Sequence, residues 1–187
     1  MKRPFALLAV ISLALTVSAV AARSALAGGG QPWVSVTLDP DGESALINAA
    51  IDIPAPAERV WAAMTDCSAT RVMIKSLIQC RVVSAGNDWD IREHVTRGGP
   101  LWPSFHYLFR SDYEDGRSIR FHKIDGNLKT FEGEWDLAPL NGGQATRVTY
   151  RTRMGAPVFA PPMLVRAGLR KDTPRVLESL RRVATGG

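Results

Sequence analysis

Two cysteines, three histidines and one glutamate set among apolar strand residues are the groups of this chain whose types could do chemistry. Cys67 and Cys80 bound the stretch CSATRVMIKSLIQC. Two thiols at that spacing could be half of a metal site, a redox pair, inert core residues or a structural disulfide. A metal site needs further ligands, and none of His94, His106 and His122 stands in a metal-ligand spacing with either cysteine. A Cys-x-x-Cys redox pair is absent. What separates a disulfide from free buried thiols is the compartment, because paired cysteines oxidise outside the cytosol.

The amino terminus bears on that choice. Lys2 and Arg3 form a short basic region, Phe5 to Ala22 is uncharged and mostly apolar, and Ala25-Leu26-Ala27 precedes Gly28. This is the three-part pattern of a secretory signal peptide, residues 1–27. The competing reading is an uncleaved anchor, since roughly 18 apolar residues is near the lower limit for a membrane span. The Ala-x-Ala site followed by three glycines favours cleavage, and no other apolar run is long enough to cross a bilayer. The expectation is therefore export, to a bacterial periplasm, with Cys67 and Cys80 joined. A loop of about 14 residues closed in this way stabilises a fold by roughly 3 kcal/mol in the chain-entropy model.

Loss of residues 1–27 removes Lys2, Arg3 and Arg23 and no acids, so 23 bases become 20 against 18 acids. A net charge of only about +2 removes most of the support for a nucleic-acid partner. The remaining 160 or so residues suit one domain with a substantial core.

Strand parity supplies candidate binding residues. With Trp89, Ile91 and Val95 facing inward, Glu93 faces inward too, and a carboxylate on an apolar face needs a partner or a shifted pKa. Lys123 falls on the inward parity of its own strand with Ile119 and Phe121 and could be that partner. The same rule points Phe105, Tyr107 and Phe109 inward, then Phe131 and Trp135, then Val148, Tyr150 and Met154. For each aromatic residue plain core packing competes with ligand contact. The histidines alternate with apolar neighbours, which places them on the wet face. No phosphate-cradling glycine loop or nucleophile–base signature appears, and no cofactor or metal is expected.

The elements that must hold these residues follow from periodicity. Residues 28–43 read as a lead-in with a short strand in WVSVTL, and ALINAAIDI, closed by Pro54, reads as a full strand. Pro56, Glu58, Val60, Trp61 and Met64 mark a helix of about ten residues. SATRVMIKSL suggests a second, with Ser68 as its N-cap. From Gln79 to Met154, short Asn-Gly and Asp-Gly turns join six strands into an antiparallel meander. Gly98-Gly99-Pro100 with Trp102-Pro103 reads as a loop able to lie over a pocket mouth. In the last segment Val165, Leu169, Thr173, Val176, Leu180 and Val183 hold one helical phase across Pro174, which favours one kinked helix over two.

This order of elements is an α+β domain whose curved sheet must bury its apolar face against the last helix. IPAPAERVWAAMTD and GNLKTFEGEWDLAPLNGGQATRVTYRTRM resemble the START-like, helix-grip superfamily, also called SRPBCC, and in particular its polyketide-cyclase and coenzyme-Q-binding-like branch. The likeness covers about residues 45–184. It implies a helix-grip fold over residues 44–185, with a sheet of six to seven strands wrapped on a long C-terminal helix and two short helices after the first strand. Exported members are also similar to this chain in having a cysteine after the first helix and another at the next strand.

The resemblance implies an apolar small-molecule ligand, such as a lipid, sterol, quinone or polyketide, held between the sheet and the last helix. Val165 and Leu169 join the pocket list on that ground. Carriage or delivery is the leading expectation. A cyclase or dehydratase using a pocket carboxylate or tyrosine, and an interaction module with a filled core, are the alternatives. The arginines of the last helix allow transient contact with an anionic membrane surface. Ligand identity, delivery partner and oligomeric state are not encoded in these motifs.

Overall fold

The computed structural model describes residues 30–98, 104–155 and 161–187. The expected signal segment lies outside these residues, as do Gly99, Pro100, Trp102 and Pro103 of the expected mouth loop.

Among the described residues, eight strands and three α-helices follow in the order β1 (Trp33–Leu38), β2 (Ser44–Ile53), α1 (Ala57–Thr65), α2 (Cys67–Met73), β3 (Leu77–Ala85), β4 (Trp89–Thr96), β5 (Phe105–Glu114), β6 (Ser118–Gly126), β7 (Thr130–Leu140), β8 (Ala145–Gly155) and α3 (Pro162–Thr185). All strands join one antiparallel sheet in the order β1-β2-β8-β7-β6-β5-β4-β3. The count exceeds the expected six to seven because the lead-in contributes a full edge strand. β1 pairs with β2 from Trp33↔Ala50 to Leu38↔Ala45, and its Val36 is buried.

β2 joins the start of the domain to its end by pairing with β8 along its whole length, from Ser44↔Gly155 to Ile53↔Thr146. One face of β2, Ala45, Ile47, Ala49, Ile51 and Ile53, is buried. It forms a single core with Val60 and Ala63 of α1 and with Leu177, Leu180 and Ala184 of α3. The sheet is drawn tight at Gly133, the glycine of FEGEW. A Cβ there would stand 2.2 Å from the carbonyl oxygen of Arg151 on β8, so only glycine permits this approach.

Asp66 organises the two short helices. Its backbone ends α1, and its carboxylate accepts from the N–H groups of Ser68 and Ala69 at 3.0 and 3.1 Å to start α2. The N-cap is thus Asp66 rather than the expected Ser68. A carboxylate one residue before the first turn reaches two orphan N–H groups there, whereas Ser68 lies inside the helix.

α3 runs unbroken through Pro174 and closes on Gly186 in the left-handed region at φ 81°. Thr173, Leu177, Leu180 and Ala184 are buried, while the amino-terminal half carries exposed Met163 and Leu164. The helix packs on β1 and β2 and on α1 and α2. Because those strands form one end of a twisted sheet, space is left over the middle of the sheet.

Candidate functional site: a cavity between the sheet and the last helix

That space is a cavity of about 530 Å³. From the sheet, Phe105, Tyr107, Phe109, Phe121, Phe131, Trp135, Tyr150 and Met154 line it, and Val165 and Leu169 line it from α3. Their rings form one aromatic surface. Phe121 and Phe131 lie 4.7 Å apart, Phe131 meets Tyr107 edge-on at 5.1 Å, and Trp135 stacks on Tyr150 at 3.9 Å. Met64 of α1, Thr70 and Met73 of α2, and Ile74 and Ser76 after it also line the cavity. These last residues have no strand parity to reveal them. Their only signal was the apolar side of two short helices.

β4 is reversed relative to its expected orientation. Asp90, Arg92, His94 and Thr96 face in and are buried, while Trp89, Ile91, Glu93 and Val95 face out and are half-buried. Trp89, Ile91 and Glu93 therefore lie off the cavity, and His94 lines it instead of the wet face. The reason is partnership. On the inner face, Arg92 donates to Asp90 and to backbone carbonyls of α1, and His94 meets Tyr107. On the outer face, the Arg110 guanidinium covers the Trp89 ring at 4.4 Å. The outward Glu93 carboxylate accepts from Gln79 Nε2 at 2.8 Å, from Arg81 Nε at 2.9 Å and from His106 Nε2 at 2.9 Å. The His106 hydrogen bond, followed by that of Arg81, holds its carboxyl below the usual range.

Lys123 is likewise not in the wall. β6 and β7 pair only as far as His122↔Glu132, and the Lys123 ammonium donates to the Gly126 carbonyl at 3.5 Å. The expected Glu93–Lys123 pair does not form. His106 and His122 do point outward, as their alternation suggests. Arg92 and His94 had one legible signal: the inner parity of β4 reads Asp-x-Arg-x-His-x-Thr, a set able to satisfy its own polar groups.

Burial sets the charge state of the cavity. The His94 ring is pushed down to about 4, first by burial and then by the Arg92 charge. Burial pushes the Tyr107 and Tyr150 phenols up, and the Tyr113 phenol as well. At neutral pH the wall therefore presents a neutral imidazole, neutral phenols, the Arg92 guanidinium matched from behind the wall by Asp90, and the exposed Arg97 at its border. Asp172 is the sole carboxylate bordering the cavity among the described residues, and it is exposed. No cluster of three or more His, Cys, Asp or Glu side chains converges as a metal site would require, again among the described residues.

Cys67 and Cys80 form the disulfide, with Cα atoms 5.4 Å apart. It fixes the first residue of α2 to β3, and α2 carries the wall residues Thr70 and Met73.

A curved antiparallel sheet gripping a long C-terminal helix around a mostly apolar cavity defines the class: this is an α+β helix-grip domain. The sequence model of the family described as polyketide cyclase / dehydrase and lipid transport matches residues 53–181, and the chain belongs to that family. No curated protein matches it in sequence. Among solved structures it resembles a STAR-related lipid transfer protein from Xanthomonas axonopodis, at 17% identity and TM-score 0.66, over 81% of this chain and 98% of that one. It also resembles the Zhui aromatase/cyclase of a Streptomyces species, at 13% identity and TM-score 0.65, over 76% and 94%. Human STARD10 is similar at 11% identity and TM-score 0.70, over 84% and 70%. These likenesses establish the fold.

Proposed function

We propose that this chain is an exported protein that binds an apolar small molecule in the cavity under α3 and carries or delivers it. The observation that supports this most directly is the cavity itself. Its volume of about 530 Å³ lies within the range of small-molecule sites, and aromatic and aliphatic side chains make most of its wall. A module whose core was filled by its own side chains would have no such space. The energy of binding would come from removing ligand surface from water, about 25 cal/mol per Å² of apolar area, with few polar groups to set orientation.

The cyclase or dehydratase alternative loses the carboxylate expected for it, because Glu93 faces out. The Tyr107 and Tyr150 phenols that remain in the wall are pushed up by burial, which makes them poor proton donors. Export is supported by the signal pattern of residues 1–27 and by a disulfide that suits an oxidising compartment. Delivery by transient contact with an anionic membrane surface is supported by exposed Val72, Met163 and Leu164, with Arg71, Lys75, Arg166 and Arg170 in the same segments. Val72's helix and α3 both contribute to the cavity wall.

The test is native mass spectrometry, with solvent extraction, of protein purified from its own host. A bound apolar species at a fixed stoichiometry is expected. Protein that arrives with no apolar molecule at any stoichiometry would remove the main support for carriage.

A further inference from the structure

Among the described residues, one buried side-chain polar atom of the cavity wall has no hydrogen-bond partner. His94 borders the cavity, is 5% exposed, and its Nε2 is buried without a hydrogen bond among the described residues. Its other nitrogen, Nδ1, lies 3.2 Å from the Tyr107 hydroxyl, which has no second partner among those residues. Phe109 meets the imidazole edge-on at 4.8 Å, so packing holds the ring in place.

The tautomer follows from counting donors and acceptors. With the proton on Nε2, Nδ1 accepts the Tyr107 O–H, and only the Nε2–H remains unmet. With the proton on Nδ1, the ring donates to the Tyr107 oxygen, and both the phenol proton and the Nε2 lone pair remain unmet. Buried polar groups are rarely left unpaired, so the arrangement with one orphan prevails over the arrangement with two. The doubly protonated ring does not enter at neutral pH, because burial and Arg92 keep it neutral.

We propose that the Nε2–H of His94 is the donor that orients the cavity's ligand, which therefore carries a neutral acceptor oxygen on an otherwise apolar body. The carbonyl of a ketone, quinone or ester has that chemistry. The inference rests on the ligand-binding reading above and narrows it to a chemical class. Nε2 is covered at the cavity wall, so neighbouring side chains are required to shift when a ligand oxygen reaches it. The gain is then larger than on a wet surface, since water is not available to satisfy the N–H. Tyr107 acts as a positioning residue that fixes the tautomer.

The experiment compares acetylnaphthalene with ethylnaphthalene, which share a ring system and differ by one carbonyl. Their affinities are measured by calorimetry on the full protein, on His94→Phe and on His94→Gln. The ketone is expected to bind the unsubstituted protein about tenfold more tightly than the hydrocarbon, the worth of one buried hydrogen bond. His94→Phe should erase that margin and leave ethylnaphthalene within about twofold. His94→Gln, which keeps an N–H donor, should retain part of it. A margin that survives in His94→Phe, or an equal loss for both probes, overturns the assignment. So does binding of both probes to the unsubstituted protein without preference, while the cavity reading stands. If neither probe binds at all, the cavity reading itself falls and takes this inference with it. Imidazole nitrogen NMR of the unsubstituted protein checks the tautomer without any variant: a proton found on Nδ1 overturns the proposal.

Discussion

Arg92 donates from Nε to Asp90 Oδ2 at 2.8 Å and from Nη2 to the Thr65 carbonyl at 2.6 Å, so a residue of β4 caps a helix 27 positions upstream. Nη1 reaches the Met64 carbonyl at 3.4 Å, and the Tyr113 hydroxyl donates to the same Asp90 oxygen at 2.6 Å. Met64 and Thr65 end α1, where the last carbonyls have no helical donor. One buried ion pair thereby holds a helix end against the sheet and keeps Met64 in the cavity wall.

Arg92→Met should therefore cost about 3–5 kcal/mol, because it strands the Asp90 carboxylate and two helix carbonyls in a buried place. Asp90→Asn, which keeps an acceptor for Arg92, should cost less. Urea titration of both variants checks the order, and a loss below about 1 kcal/mol for Arg92→Met would contradict the capping role.

Replacing Cys67 and Cys80 together by serine should lower stability by roughly 3 kcal/mol, the loop-closure value for a bridge of this span. The loss should be local as well as global. Hydrogen exchange at Thr70 to Met73 is expected to speed up more than exchange in β2 and β8. Uniform acceleration across the sheet would mean that the bridge does not hold α2 in place.

Stability should fall on mild acidification in a window set by His94. Its folded value of about 4 lies below the ordinary 6.5, so the unfolded chain takes up the proton first as pH drops. The stabilisation is complete above pH 6.5 and is lost progressively down to about 4. It is worth about 3 kcal/mol, from 1.36 kcal/mol per unit. The groups facing the ring are the Arg92 guanidinium, matched by Asp90, and the neutral Tyr107 phenol. Urea midpoints of the protein and of His94→Gln, compared between pH 7.5 and pH 4.5, should converge by roughly that amount. A constant gap between the two curves would refute the shift.

Gly133→Ala should be among the most damaging small substitutions in the sheet, at about 2 kcal/mol or more, since its Cβ has to displace the β8 backbone. Gly168→Ala is the contrast. A Cβ at Gly168 meets no atom within 4 Å, and alanine in a helix interior is favoured by about 0.5–1 kcal/mol. Opposite signs in thermal melts are expected, and equal effects would undo the contrast.

Much of the architecture was legible because it rests on local rules. Alternation in EGEWDL and RVTYRTRM, Asn-Gly and Asp-Gly turns, and the single-phase stripe of the last helix each specify an element without reference to distant residues. The stripe carried the helix correctly across Pro174. Much of the aromatic wall was legible for the same reason, since Phe105, Tyr107, Phe109, Phe121, Phe131, Trp135 and Tyr150, with Met154, lie on the parity that the strands imply. β4 was not. Parity says which residues share a face, but it does not say which face is turned inward. The apolar trio Trp89, Ile91 and Val95 argued for the wrong one.

By itself, then, the sequence determined the order and type of most elements and the family, and it favoured the disulfide between Cys67 and Cys80 that the structure holds. Periodicity and turn chemistry act over a few residues, and the chain states them directly. Only the tertiary structure decided that Glu93 is spent on an outer-face cluster with Gln79, Arg81 and His106, and that His94 stands in the cavity with one nitrogen unmatched. The partners that make β4's polar face the buried one come from α1 and β5, up to 28 positions away. A polar side chain turns inward when distant groups satisfy it, and that balance exists only once the chain has folded.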